Sequence, residues 1–178
     1  MASAFSHALA AAAMGSFYPA KQFGWRFWAL GMICAILPDA DVISFSIGIP
    51  YEHVLGHRGF THSLLFALIL GLVVTLLFFR KVPRGSKTWW MLVGYFFLCT
   101  ASHAVLDAMT NGGLGVAFFA PFENSRYFFP WRPVQVSPIG VESFFSEWGL
   151  RVIKSELVYL ALPSLAVALI GWLWRKFK

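Results

Sequence analysis

The sequence predicts an all-α integral membrane protein. It reads as a bundle of about five helices, the first two short, with a long outward-facing aromatic loop that contains an amphipathic helix. Three observations carry this. Of 178 residues, 58% are hydrophobic and 12% charged, against about 25% charged in soluble domains. Three apolar runs approach membrane-crossing length, and the basic residues are segregated along the chain. The composition excludes a disordered tail, a collagenous chain and a disulfide scaffold, and it holds too little charge to coat a cytosolic domain. Residues 1–178 read as one membrane-embedded domain.

Taken in order, Phe5–Tyr18 is apolar and Ala-rich, and Trp25–Leu37 is apolar up to Pro38. Proline disfavours helical backbone in the residue before it, so Pro38 is expected to end the second helix. Each run is shorter than the roughly 20 residues that cross about 30 Å of hydrocarbon. The pair therefore reads as a hairpin of two short helices around a Pro19–Gly24 turn. No Lys or Arg precedes the first run, so a cleaved signal peptide, which needs a basic start, is not expected.

Phe60–Phe79, interrupted by Thr61, His62, Ser63 and Thr75, runs into Arg80 and Lys81. Trp89–Leu106 is broken by His103, and Leu157–Trp174 is closed by Arg175, Lys176 and Lys178. These three are expected to be membrane helices, with Thr61 capping the helix that His62 enters. Residues 107–155 are long for a loop, and their Phe, Trp and Pro content argues against disorder. Within them, Val141, Phe144, Phe145, Trp148 and Val152 fall at helical spacing, with Glu142, Glu147, Arg151 and Lys154 elsewhere on the wheel. Such a helix either lies in the membrane interface or packs its apolar face on the bundle. Cys34 and Cys99 both sit in apolar runs and read as small core residues.

Charge sets the orientation. The turn after the first helix, the Arg80–Lys87 connection and the C-terminal tail together carry nine bases and no acid. Residues 38–61 and 107–155 carry five bases and seven acids. The positive-inside rule places the nine bases in the cytoplasm. The bases flank membrane segments without forming a stripe, so no nucleic-acid partner is expected.

Ionisable residues within apolar runs need a reason. Here they are His7, Asp39, Asp41, His57, His62, His103 and Asp107, and the topology puts all seven at the outward face. Imidazole and carboxylate together suit zinc, manganese or iron. His103 and Asp107, four apart, share one helix face. Asp39 and Asp41 bracket Ala40, and His57 and His62 flank Gly59. The seven are expected to hold one or two divalent ions, zinc by preference, with manganese and iron as alternatives. Glu52 and His53 lie nearby as weaker candidates.

The block Gly56-His57-Arg58-Gly59-Phe60-Thr61-His62-Ser63 resembles the signature of a bacterial family of membrane-bound, metal-dependent hydrolases, the YdjM-like inner-membrane proteins, named for a LexA-regulated member. Matching pieces follow in order: the early His7, Leu37-Pro38-Asp39-Ala40-Asp41, Ser102-His103-Ala104-Val105-Leu106-Asp107, Thr110-Asn111-Gly112-Gly113, Pro121-Phe122 and Arg126. The resemblance covers roughly residues 5–130 and implies a bacterial inner-membrane location. It also implies a distant relation to zinc-dependent phospholipase C, and hence phosphoester hydrolysis. The expected substrate is a lipid or lipid-linked phosphate at the outer face. Arg58 is expected either to bind phosphate or to ion-pair with Asp39 or Asp41, Arg126 to bind phosphate, and Thr110 and Asn111 to orient ligands. Phe118, Phe119, Phe128, Phe129 and Trp131 are candidates for holding acyl chains or for an interfacial belt. Two alternatives stay open: a metal or proton transporter, and a non-catalytic membrane protein with a structural metal site.

Overall fold

The computed structural model describes residues 1–177, and they form an all-helical protein without strands. Helix α1 spans Ala4–Gly15 and is capped by Ser3, whose hydroxyl accepts from the Ser6 amide. A short 3-10 turn, Ala20–Gln22, leads to α2, Trp25–Ile36. Pro38 does not end this segment. The backbone tightens into a 3-10 turn, Leu37–Val42, and continues into α3, Ile43–Ser46. Pro38 sits in the first turn of the 3-10 piece, where a missing N–H costs little. The result is a 22-residue helical path, Trp25–Ser46, long and apolar enough to cross a membrane.

Helix α4 spans Leu64–Phe78, shorter than the apolar run that contains it. Phe60–His62 turn separately, and Ser63, in extended backbone, caps α4 through Phe66 N. Thr61 is not the cap. Its hydroxyl donates to Asp41 Oδ2. Helix α5, Lys87–Ala108, is capped by Ser86 and is the second candidate span. A short α6, Val141–Phe144, precedes α7, Glu147–Glu156, capped by Ser146. A π-turn, Leu157–Ala161, then fuses α7 to α8, Leu162–Lys176. The amphipathic segment and the last apolar run are thus one 30-residue rod, Glu147–Lys176, and the third candidate span.

The core lies where α1, α2, α4 and α5 meet. Phe27 stacks on Tyr95 at 4.0 Å, among buried Cys34, Leu92, Phe96 and Cys99. Outward residues of α4 and α8, such as Leu68, Leu77, Leu165 and Ile170, are exposed, as lipid-facing residues are. Gly31 lets α2 approach Tyr95, since a Cβ there would lie 2.2 Å from the phenol oxygen. Gly31→Ala is expected to cost about 1–3 kcal/mol by overpacking, read as a lower melting temperature in detergent. Gly94→Ala, inside α5 and meeting nothing within 4 Å, is the control and should leave melting unchanged or slightly raised, since Ala favours the helix by about 0.5–1 kcal/mol.

The segment between α5 and α6 is irregular but tied down. Leu64 N donates to Phe118 O, Phe129 N to Ala108 O, and Ala117 N to Arg58 O. Thr110 bridges to Val134, and Val116 to Tyr127. These bonds press the segment onto one end of the bundle, where the start of α1, the Leu37–Val42 turn, the turn before α4 and the end of α5 converge.

Candidate metal centre

All seven candidate ligands meet at that end, and all are buried. Helical spacing turns His103 and Asp107 inward from α5, where both are 0% exposed. The His103 Nδ1 lies 2.7 Å from the Ala35 carbonyl. A carbonyl only accepts, so Nδ1 carries the proton and Nε2 presents a lone pair. The His62 Nδ1 lies 3.1 Å from Asp41 Oδ2 and 3.1 Å from Thr61 Oγ1. The Thr61 proton already goes to Asp41, so His62 likewise carries a proton on Nδ1.

The two Nε2 atoms face each other at 3.0 Å. At that distance the two atoms share either a proton, one ring donating to the other, or a common cation. Asp39 Oδ1 lies 3.3 Å from His103 Nε2 and 3.7 Å from His62 Nε2, and Asp107 Oδ2 lies 3.7 Å from His62 Nε2. Neither carboxylate oxygen accepts a directed hydrogen bond, although both are buried. The donor atoms of Asp39, His62, His103 and Asp107 all lie within 4.8 Å of one another. Two ligands about 2.1 Å from one ion are at most roughly 4 Å apart, so the group is close to the size of a single coordination shell. The Asp39 oxygen is buried without a hydrogen bond, and a cation would satisfy it together with the two facing imidazole nitrogens. The residues fit a divalent ion.

His7 stacks on the His103 ring at 3.8 Å, with Nε2 3.5 Å from Asp107 Oδ1. Neither of its ring nitrogens has a hydrogen-bond partner, so it is a further candidate ligand beside the four. Asp41 differs. It is approached by the ring nitrogens of His57 and His62 and accepts from the Arg58 amide and the Thr61 hydroxyl. Asp41, His57 and His62 form a second group of ligand geometry, but Asp41 is already satisfied by donors. It acts as the carboxylate that fixes two imidazoles.

Arg58 is the largest fully buried side chain. Its Nε lies 3.0 Å from Asp107 Oδ2, Nη1 donates to Gly112 O and Nη2 to Thr110 Oγ1. Its φ is +60°, in the left-handed region. Gly113, at φ +86°, is required beside it, because a Cβ there would lie 2.8 Å from Arg58 Nη1. Arg126 donates to the carbonyls of His57, Tyr51 and His53 and so braces the loop. Both guanidinium groups therefore hold protein partners, and for Arg58 this is the ion-pair alternative with Asp107 as the partner in place of Asp39 or Asp41. Thr110 holds Arg58 and donates to Asp107 O. Asn111 does not reach the ligands. It ties Gln135 and Val136.

Glu52 and His53 are exposed and outside the cluster. Phe119, Phe129 and Trp131 are exposed, and Arg132 stacks on Phe128. Sequence reasoning missed Glu156, whose carboxylate accepts from Ser3 N, Ser3 Oγ and Ser6 Oγ and so clamps α1 to the end of α7. Its signal was an acid at the head of an apolar run. Ala2 N, beside that clamp, donates to Asp107 Oδ1 at 2.7 Å. A 340 Å³ cavity opens beside the cluster, lined by Tyr51, His57, Arg58, Val136 and Trp148 among others. Burial raises the Tyr51 phenol above its ordinary range, so it faces this cavity as a protonated donor.

The family model described as YdjM inner membrane protein matches residues 1–178. The chain is 37% identical over 174 residues to the inner membrane protein YbcI of Escherichia coli (strain K12), covering 98% of each chain. It is 32% identical over 97 residues to YvsG of Bacillus subtilis (strain 168), covering 51% of this chain and 55% of that one. It is 31% identical over 102 residues to the inner membrane protein YdjM of Escherichia coli (strain K12), covering 51% of this chain and 47% of that one. No solved structure matches it.

Proposed function

This chain belongs to the YdjM inner membrane protein family, and we propose that it is a metal-dependent hydrolase cleaving a phosphoester of a lipid or lipid-linked substrate at the outer face of the inner membrane. The observation that carries the reading is the pair of Nε2 atoms 3.0 Å apart beside the Asp39 and Asp107 carboxylates, the four donor atoms all within 4.8 Å of one another, with a cavity alongside. Asp39, His62, His103 and Asp107, with His7 against them, would hold one ion, zinc by preference for an imidazole and carboxylate set. When bound, such an ion supplies Lewis acidity to a phosphoryl oxygen and acidifies water.

The chain's own residues do the rest. Asp41 orients His57 from Nδ1, which leaves the other ring nitrogen free for a proton at the cavity wall. Tyr51 donates from the same wall. Arg58 stays on Asp107 and fixes that carboxylate toward the ion. The positive-inside rule, applied to the segregation of bases along the sequence, supports the outer-face reading.

The test is release of phosphate or headgroup from phosphatidylglycerol vesicles by purified, zinc-loaded protein. We expect hydrolysis by wild type and a loss of at least about a hundredfold in His62→Ala, the scale on which metal sites lose activity when their shell is disturbed. One observation favours a second reading, an ion that only braces the helix ends: every ligand residue is buried, as in closed structural sites. Stoichiometric metal with no hydrolysis of any phosphoester would select that reading.

A further inference from the structure

We propose that the groove between the start of α1 and the α6–α7 segment is a binding site for one hydrocarbon chain of a phosphate-bearing lipid. The placement of the lipid's headgroup at the metal centre rests on the hydrolase reading above; the groove itself does not.

Three cavities adjoin in a row. The first is the 340 Å³ cavity at the cluster, with Tyr51, His57 and Arg58 on one side and Val136, Pro138 and Trp148 on the other. The second, 380 Å³, shares Ser137 and Pro138 with it and adds Ala4, Phe5, Phe144 and Phe145. The third, 310 Å³, shares Ser3, Phe5 and Phe144 with the second and adds Leu9, Ile153 and Leu157. Polarity falls along this row. Two charged groups line the row beyond its start: the Met1 ammonium, which the first two cavities share and which stands 3.8 Å from Asp107 Oδ2, and Glu156, which is held by Ser3 and Ser6; neither asks anything of an apolar chain.

Continuity decides the occupant. The row begins at a histidine, an arginine and a phenol, and ends on the apolar outer side of α1 and the fused α7–α8 rod. A molecule that fits has a polar end and a long apolar end, which is an amphiphile with an acyl or isoprenyl chain. Phe5 is 76% and Phe145 84% exposed, so the groove's rims lack protein cover that a chain in the bilayer supplies. Cavities of this size suit small ligands. A second protein helix, about 10 Å across, is too wide to follow them to the cluster.

The experiment is native mass spectrometry of the full chain in detergent with added phosphatidylglycerol, with bound metal measured in parallel. Ala4→Trp and Ile153→Trp fill the second and third cavities without touching a ligand, and Leu165→Trp on the exposed face of α8 is the control. Wild type and Leu165→Trp should each retain one lipid. The two filled variants should bind it about tenfold more weakly, the equivalent of roughly two buried methylenes, with metal content unchanged. Equal retention in filled variants and wild type, or no retained lipid in wild type, overturns the groove. Retained lipid without any hydrolysis in wild type supports the groove and sinks the hydrolase reading alone. Filled variants that lose vesicle hydrolysis but still cleave a short water-soluble phosphodiester support both.

Discussion

Purified protein carrying His103→Ala together with Asp107→Ala should bind divalent metal at least about a hundredfold more weakly than wild type. Elemental analysis after zinc loading and desalting reads this directly. His103 Nε2 and Asp107 Oδ2 are two of the four donors within 4.8 Å of one another, and His7 beside them offers one nitrogen for the two donors lost. Asp41 is committed to His57, His62, Arg58 and Thr61. The same physics fixes the pH dependence. Protons and the ion compete for the imidazole nitrogens, so metal binding strengthens as pH rises and weakens as pH falls. Metal removal should also lower the melting temperature, because an ion held at a hundredfold excess over its Kd adds about 2.7 kcal/mol of stability. Stoichiometric zinc in the double variant, or wild type that takes up no zinc, manganese or iron at pH 7.5, would refute the metal centre.

Arg58→Ala should damage the fold itself. Its guanidinium is fully buried against Asp107 and reaches Gly112 O and Thr110 Oγ1. Removing one partner of a buried pair leaves an uncompensated charge and costs about 3–5 kcal/mol. The readouts are the yield of monodisperse protein and the melting temperature in detergent. Arg58→Lys keeps the charge but cannot reach three partners at once, and should fall between the two. Arg58→Ala,Asp107→Asn should recover part of the loss, since it removes both charges. An Arg58→Ala protein that melts like wild type but loses hydrolysis would return Arg58 to the phosphate-binding role that its motif suggests.

The sequence made the site legible to an unusual depth because ionisable residues are so sparse in apolar runs. His7, the two aspartates after α2, His57 and His62 before α4, and His103 with Asp107 at the end of α5 needed only the alternation of helices to be placed at one end. The i,i+4 spacing of His103 and Asp107 fixed their common face on α5 without any knowledge of neighbours. Local rules were less decisive elsewhere. Proline at position 38 is compatible both with ending a helix and with opening one, and packing of the Leu37–Val42 turn against the site chose the second. The amphipathic pattern in 141–154 was visible, but its fusion with the last apolar run through a π-turn was not, because nothing in Leu157–Ala161 marks a break or a join.

By itself, then, the chain determined its apolar spans, the segregation of its bases and the gathering of its histidines and aspartates. Each of these depends on spacing within one helix or on the sign of a loop. Tertiary structure alone decided who meets whom: His103 with His62, Arg58 with Asp107, Asp41 with two imidazoles, Glu156 with Ser3. Those partners stand 41, 16 and 153 residues apart in the pairs His62–His103, Asp41–His57 and Ser3–Glu156. A contact between groups on different elements is set by the packing of those elements to within an ångström, and no covalent spacing encodes it.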